Sequence, residues 1–196
     1  DYVLSRAKAD GVKNLVTVSN LSSSRALRDV TESYGGTYFA SAVGEVNATT
    51  LMHEKGAIIG GEGNGGVIYP AIHSGRDAMV GVALFLSNLA HKKMTVSELK
   101  KTYPEYHIAK NKIELSDKGL IDKILSELKV IYAHENVNDI DGVKISFEDK
   151  REWVHLRKSN TEPIIRIYSE APTEEEAVKL GEKVIAVAEK IISSAK

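Results

Sequence analysis

Through the first hundred residues short β-branched runs alternate with helical patterns, whereas beyond Pro104 one strand and one helix are followed by three strands in direct succession. The two orders demand different sheets. A strand, a crossover helix and another strand build a sheet with helices on its faces, whereas strands joined by short turns build an antiparallel sheet that packs its helices on one side. The sequence therefore predicts an α/β domain with a three-layer, mixed sheet over residues 1–102, then an α+β domain with an antiparallel sheet packed on helices over residues 103–196. A segment rich in mixed polarity, residues 100–106, links them; it follows a helix headed by Thr95 with Glu98 at capping-box spacing.

In the first region the expected order is a helix through Ala9, a strand over 14–18, a helix over 26–34 headed by Ser22, Ser23, Ser24 and Arg25, a strand over 37–40, a helix over about 47–54 and a strand over 57–59. An apolar helix carrying Met79, Val82, Ala83, Phe85 and Leu86 follows and is expected in the core. In the second region a strand over 107–115 precedes an amphipathic helix over 117–131. Strands over 142–147, 153–156 and 164–168 come next, and Thr173 with Glu176 caps a final helix.

With 196 residues, 42% of them hydrophobic, the chain is long enough for two compact cores. Its net charge of -1 supplies no general basic field, which argues against nonspecific nucleic-acid binding or a membrane surface as the main role. Cysteine is absent, so disulfides and thiolate metal sites are excluded. No apolar run reaches membrane-spanning length, and a cytoplasmic location is the expectation. Asp29, Asp77 and Asp117 are scattered and form no metal cluster.

Two segments carry chemistry. The run Arg157-Lys158-Ser159-Asn160-Thr161-Glu162-Pro163-Ile164-Ile165-Arg166 sets anion-binding groups in a turn between two strands. Arg157 can fork two oxygens of an oxyanion, Ser159, Asn160 and Thr161 add donors and turn-forming backbone, Lys158 adds a further cation, and Arg166 reaches in from the next strand. A solvated hairpin tip is the plainer reading of such a turn; the density of anion-binding groups favours a phosphate. The second segment, Gly60-Gly61-Glu62-Gly63-Asn64-Gly65-Gly66, places five glycines in seven residues at a strand end, where a backbone can approach a ligand closely. Glu62 and Asn64 are its only functional side chains, a carboxylate and an amide suited to neighbouring hydroxyls of a sugar.

The first run resembles the phosphate-binding loop of the fourth domain of the α-D-phosphohexomutases, and the second resembles the sugar-binding loop of their third domain, in the right order. The family's glycine loop commonly has Ser where this chain has Asn64, and often His where it has Gly66. Val43-Gly44-Glu45 and the stretch from His73 to Arg76 lie in segments that the family places near its active site, though capping or structural roles are the stronger reading for Glu45, His73 and Arg76.

The resemblance implies the C-terminal half of an enzyme that moves a phosphoryl group between the 1- and 6-hydroxyls of a hexose. A phosphoserine and a hexose 1,6-bisphosphate would be intermediates. The family's serine and its magnesium loop have no counterpart here, so Mg2+ would be bound outside this chain, in missing N-terminal domains of the same parent. On this reading Arg157, Ser159, Asn160, Thr161 and Arg166 hold a substrate phosphate, Glu62 and Asn64 hold the sugar, and the chain alone is inactive. A phosphosugar-binding module with no catalytic parent is the alternative.

Overall fold

A computed structural model describes residues 1–115, 119–159 and 162–194. The chain divides into two compact units, Asp1–Glu105 and Tyr106–Lys196.

In the first unit the elements run α1 (Tyr2–Ala9), β1 (Val16–Asn20), α2 (Ala26–Ser33), β2 (Thr37–Ser41), α3 (Glu45–Lys55), β3 (Ile59–Gly61), β4 (Val67–Tyr69), β5 (His73–Arg76), α4 (Ala78–Lys92) and α5 (Val96–Lys101). Among the described residues the strands form one sheet in the order β2-β1-β3-β4-β5. β1 pairs parallel with β2 and β3, while β4 and β5 turn back antiparallel, which makes the sheet mixed. The chain steps from β1 to one neighbour and then across to the other, so right-handed crossovers place α2 and α3 on opposite faces.

β1 is buried along its whole length, as a central strand covered on both faces must be. Val16 and Val18 join Ala48 and Met52 of α3 in the core. On the other face the Thr17 and Thr31 hydroxyls bond at 2.7 Å, so a polar pair fastens α2 to the strand. Below that face the Asp1 carboxylate accepts hydrogen bonds from Tyr34 Oη at 2.6 Å, Asn88 Nδ2 at 3.1 Å and Tyr103 Oη at 2.6 Å, and pairs with Lys92 at 2.7 Å. One carboxylate thus ties α1, the end of α2, α4 and the segment after α5 together. The Thr95–Glu98 capping box is present at the start of α5.

Two expectations are corrected in this unit. The sequence places all of Gly60 to Gly66 in a loop, yet Gly60 and Gly61 are strand residues. They lack side chains because packing forbids them: a Cβ on Gly60 would lie 2.6 Å from Met52 Sδ, and one on Gly61 would lie 2.2 Å from the Gly66 carbonyl oxygen. Helix α4, expected in the core, buries only a stripe. Met79, Val82, Phe85 and Leu86 are 78%, 53%, 44% and 56% exposed. A helix apolar all round covers its neighbours with one face, here the side carrying Gly81 and Asn88, and leaves the rest outside.

The second unit contains β6 (His107–Glu114), α6 (Gly119–Ile131), β7 (Asn136–Asn138), β8 (Val143–Phe147), a 3₁₀ turn (Glu148–Lys150), β9 (Glu152–Lys158), β10 (Ile164–Ala171) and α7 (Glu174–Ser194). Among the described residues its sheet has the order β6-β10-β9-β8-β7, antiparallel throughout. Ile145, Val154, Leu156, Ile165 and Ile167 alternate onto one face and meet Ile121, Ile124 and Leu128 of α6 and Leu180, Val184 and Ala188 of α7. Thr173 caps α7, accepting the Glu176 N–H at 3.2 Å. The expected helix start at Asp117 lies outside the described residues. Both sheets match the α/β and α+β classes read from the sequence.

Candidate functional site

The glycine loop begins where β3 ends. Glu62 N–H donates to the Gly66 carbonyl at 2.9 Å and Gly65 N–H to the Glu62 carbonyl at 3.0 Å, so the loop closes on itself. Asn64 Oδ1 accepts the Gly66 N–H at 3.0 Å, a local turn bond that fixes the amide's orientation. Gly63 lies against Ser22 and Ser23, whose loop follows β1, and that contact sets the height of the turn above the sheet.

Glu62 is held on both oxygens. Asn20 Nδ2, at the carboxyl end of β1, donates to Oε1 at 3.1 Å, and Arg76 Nη1 approaches Oε2 to 3.2 Å. Its side chain is only 5% exposed. Arg76 reaches in the other direction too: Nε and Nη2 each lie 3.0 Å from Glu45 Oε2, and the Arg76 backbone N–H donates to Glu45 Oε1 at 2.7 Å. That backbone donor, with the guanidinium behind it, holds the Glu45 carboxyl below the usual carboxylate range. Glu45, Asn64, Gly65, Gly66 and Arg76 line an open cleft of about 530 Å³, with Asp77 and Ala78 at the start of α4. Asp77 is committed to the helix, accepting the Val80 N–H at 3.0 Å.

Asn20 went unnoticed in the sequence, while Glu45 and Arg76 were weighed there and left with capping or structural roles. Asn20 and Arg76 meet Glu62 and Glu45 meets Arg76, so three separate segments supply the network. The signal that could have found them is the position of each at a strand end or helix start on the ligand-binding edge of an α/β sheet.

In the second unit Arg157 and Arg166 are direct cross-strand partners on β9 and β10. They share the face opposite the helices, because the residues beside them, Leu156, Ile165 and Ile167, point into the core. By the same alternation Lys158 leaves this face; its Nζ lies 3.9 Å from Asp122 of α6. Counting Lys158 with the two arginines is thereby corrected. Ser159 is buried, and its N–H closes the strand pair on the Ile164 carbonyl at 3.0 Å. Asn160 and Thr161 lie outside the described residues.

The arginines are loosely compensated. Arg157 Nε is 3.5 Å from Asp141 Oδ2, and Arg166 Nη2 is 3.4 Å from Glu162 Oε2 with both side chains well exposed. The exposed Arg166–Glu162 pair holds weakly, whereas Arg157 and Asp141 are only 21% and 23% exposed. On the same face, next along β9, His155 Nε2 is 2.7 Å from the Asp141 carbonyl, and burial pushes its pKa down to about 4. It is neutral at ordinary pH. Beyond it Trp153 Nε1 donates to Glu170 at 2.6 Å, with Lys144 Nζ 3.9 Å above the indole ring. Among the described residues no group of three or more His, Cys, Asp or Glu could hold a metal ion. No described helix is long and apolar enough to cross a membrane.

Comparison with known proteins assigns a family to both units. Residues 2–106 match the model of the phosphoglucomutase/phosphomannomutase alpha/beta/alpha domain III, and residues 111–187 that of the phosphoglucomutase/phosphomannomutase C-terminal domain. A phosphoglucomutase/phosphomannomutase of Thermococcus kodakarensis is 35% identical over 86% of this chain and 37% of its own length. A probable phosphoglucosamine mutase of Methanopyrus kandleri is 30% identical over 88% of this chain and 38% of its own length. The chain thus spans about two fifths of the curated relatives it matches.

Among solved structures, a phosphoglucomutase/phosphomannomutase family protein of Burkholderia thailandensis shares the fold with a TM-score of 0.74 at 20% identity, covering 96% of this chain and 41% of that one. Aspergillus fumigatus N-acetylphosphoglucosamine mutase, in complex with GlcNAc-6P and magnesium, gives 0.70 at 15% identity, covering 97% and 42%. Two family domains in order, covering nearly the whole chain, leave one assignment: this chain belongs to the phosphoglucomutase/phosphomannomutase family and comprises its domain III and C-terminal domain.

Proposed function

We propose that this chain is the substrate-recognition half of a phosphohexomutase, which transfers a phosphoryl group between the 1- and 6-positions of a hexose through a phosphoserine and a hexose 1,6-bisphosphate. The observation that carries the reading is the pairing of Arg157 with Arg166 across β9 and β10. Two guanidinium groups side by side on a sheet face, each with a long ion pair at 3.5 and 3.4 Å, suit a doubly charged oxyanion. Ser159, Asn160 and Thr161 complete the grip. Glu62 and Asn64 take the hydroxyls of the ring, with the carboxylate accepting and the amide donating.

Holding the phosphate that is not transferred orients the hexose for the reaction, and orientation is this chain's contribution to the rate. Mg2+, bound in the parent outside this chain, supplies charge stabilisation to the phosphoryl group in transfer. The serine that carries the phosphoryl group also lies outside it, so the chain alone turns over no hexose phosphate.

Calorimetric titration with glucose, mannose and glucosamine phosphates and with hexose 1,6-bisphosphate tests the reading. Binding should weaken roughly tenfold to hundredfold in Arg157→Ala, the loss of one charge-assisted contact. Affinity indifferent to Arg157→Ala, or mutase turnover by the chain itself, would overturn it.

A further inference from the structure

Arg76 reaches the carboxylates of both Glu45 and Glu62 because nothing stands on Gly66. A Cβ added to Gly66 would lie 2.4 Å from Arg76 Cδ and 2.9 Å from Cγ, well inside van der Waals contact. The aliphatic stem of Arg76 therefore lies along the bare edge of this glycine. From that seat the guanidinium divides its donors, Nη1 toward Glu62 and Nε with Nη2 toward Glu45. The geometry is a planar fork held by two carboxylates from two elements, which leaves the cation few rotamers.

Arg76 is 44% exposed in its side chain, whereas Glu62 is 5% exposed. A nearly buried carboxylate keeps one orientation only while donors meet it, and Asn20 covers just one of its oxygens. The other depends on Arg76. Glu45, which has no counterpart of Asn20 among its described contacts, anchors the far side of the fork through the Arg76 backbone and side chain together.

We propose that Arg76 is a positioning residue of the sugar site: seated on the bare edge of Gly66 and anchored by Glu45, it sets the orientation in which Glu62 meets a sugar hydroxyl. Gly66 and Arg76 form one unit, since the first has no side chain so that the second can lie there. The proposal rests on the assignment of Glu62 to the sugar.

A cycle of Arg76→Ala, Gly66→Ala and the double variant tests it with two readouts. In the ligand-free chain, the carboxyl-carbon resonance of Glu62 should move in the same direction in both single variants and no further in the double, because either change frees the same oxygen. In titrations, each single variant should weaken glucose 6-phosphate binding about tenfold, the cost of one misplaced charged hydrogen bond, while inorganic phosphate binding stays unchanged. A Glu62 resonance unmoved by Arg76→Ala, effects of the two changes that add, or equal losses for the sugar phosphate and inorganic phosphate would each overturn the proposal. If the parent chain bound no sugar phosphate, the functional reading would fall, and the ligand-free resonance would still decide whether Gly66 and Arg76 act as a unit on Glu62.

Discussion

The glycine loop of the first unit and the arginine turn of the second are built by opposite means, and on the proposed reading they would recognise a ligand differently. Glu62 is fixed by side chains from distant segments, with Asn20 and Arg76 on its two oxygens and Glu45 behind Arg76. Arg157 and Arg166 are set opposite each other by the backbone ladder, and their ion pairs with Asp141 and Glu162 are long. The contrast follows the chemistry each region is suited to. A neutral hydroxyl is read by direction, which needs acceptors locked by second partners; a phosphate is read by charge, which needs cations held near one another without being neutralised.

The comparison breaks most visibly in the core beneath the arginines. Leu156→Ala removes a fully buried side chain next to Arg157 on β9, and should destabilise the second unit by about 2–5 kcal/mol in urea unfolding. Amide resonances of residues 60–66 should stay in place. If the glycine loop shifted with it, the two regions would not be independent.

Acid separates the regions next. His155 is held neutral in the fold, its pKa lowered from 6.5 to about 4. An unfolded chain takes up that proton first, so stability is full above pH 6.5 and falls as pH drops toward 4, by roughly 3 kcal/mol in all. The second unit should lose urea resistance across this window, and His155→Gln should flatten the loss; an unchanged slope in that variant would assign the acid sensitivity to other groups.

The smallest effect belongs to the exposed pair beside the turn. Glu162→Gln should change stability by less than about 1 kcal/mol, because the 3.4 Å contact with Arg166 is open to solvent. Phosphate affinity should rise slightly, by mass action on a cation relieved of a competitor. A large loss of stability would mean that this contact, and not the ladder, positions Arg166.

Much of the fold was legible because it depends on local order. The switch from alternating strands and helices to consecutive strands is written in the spacing of β-branched residues, and the Thr95–Glu98 and Thr173–Glu176 caps in single pairs. The short strands β4, β5 and β7, of three or four residues each, gave no periodic signal. Helix α4 misled for the reverse reason, since its apolar residues run round the whole circumference and do not say which side is covered. In the site, Glu62 stood out as a lone carboxylate in a glycine run. Its hold on Arg76, and that of Arg76 on Glu45, span residues 45 to 76 and exist only once β5 and α3 are brought together. The close approach of Arg76 to Gly66 was hidden further, because the reason for a missing side chain is visible only in what occupies its place.

The cross-strand arginines carry a mechanical consequence. Like charges set opposite each other on neighbouring strands, with Cβ atoms about 5 Å apart, push against the ladder that joins them. That repulsion acts at the turn end of β9 and β10, and the buried contacts of Leu156, Ile165 and Ile167 beneath oppose it. An anion meeting both guanidinium groups turns that repulsion into a shared attraction, so the free energy that tightens the hairpin and the free energy that retains the ligand become one quantity.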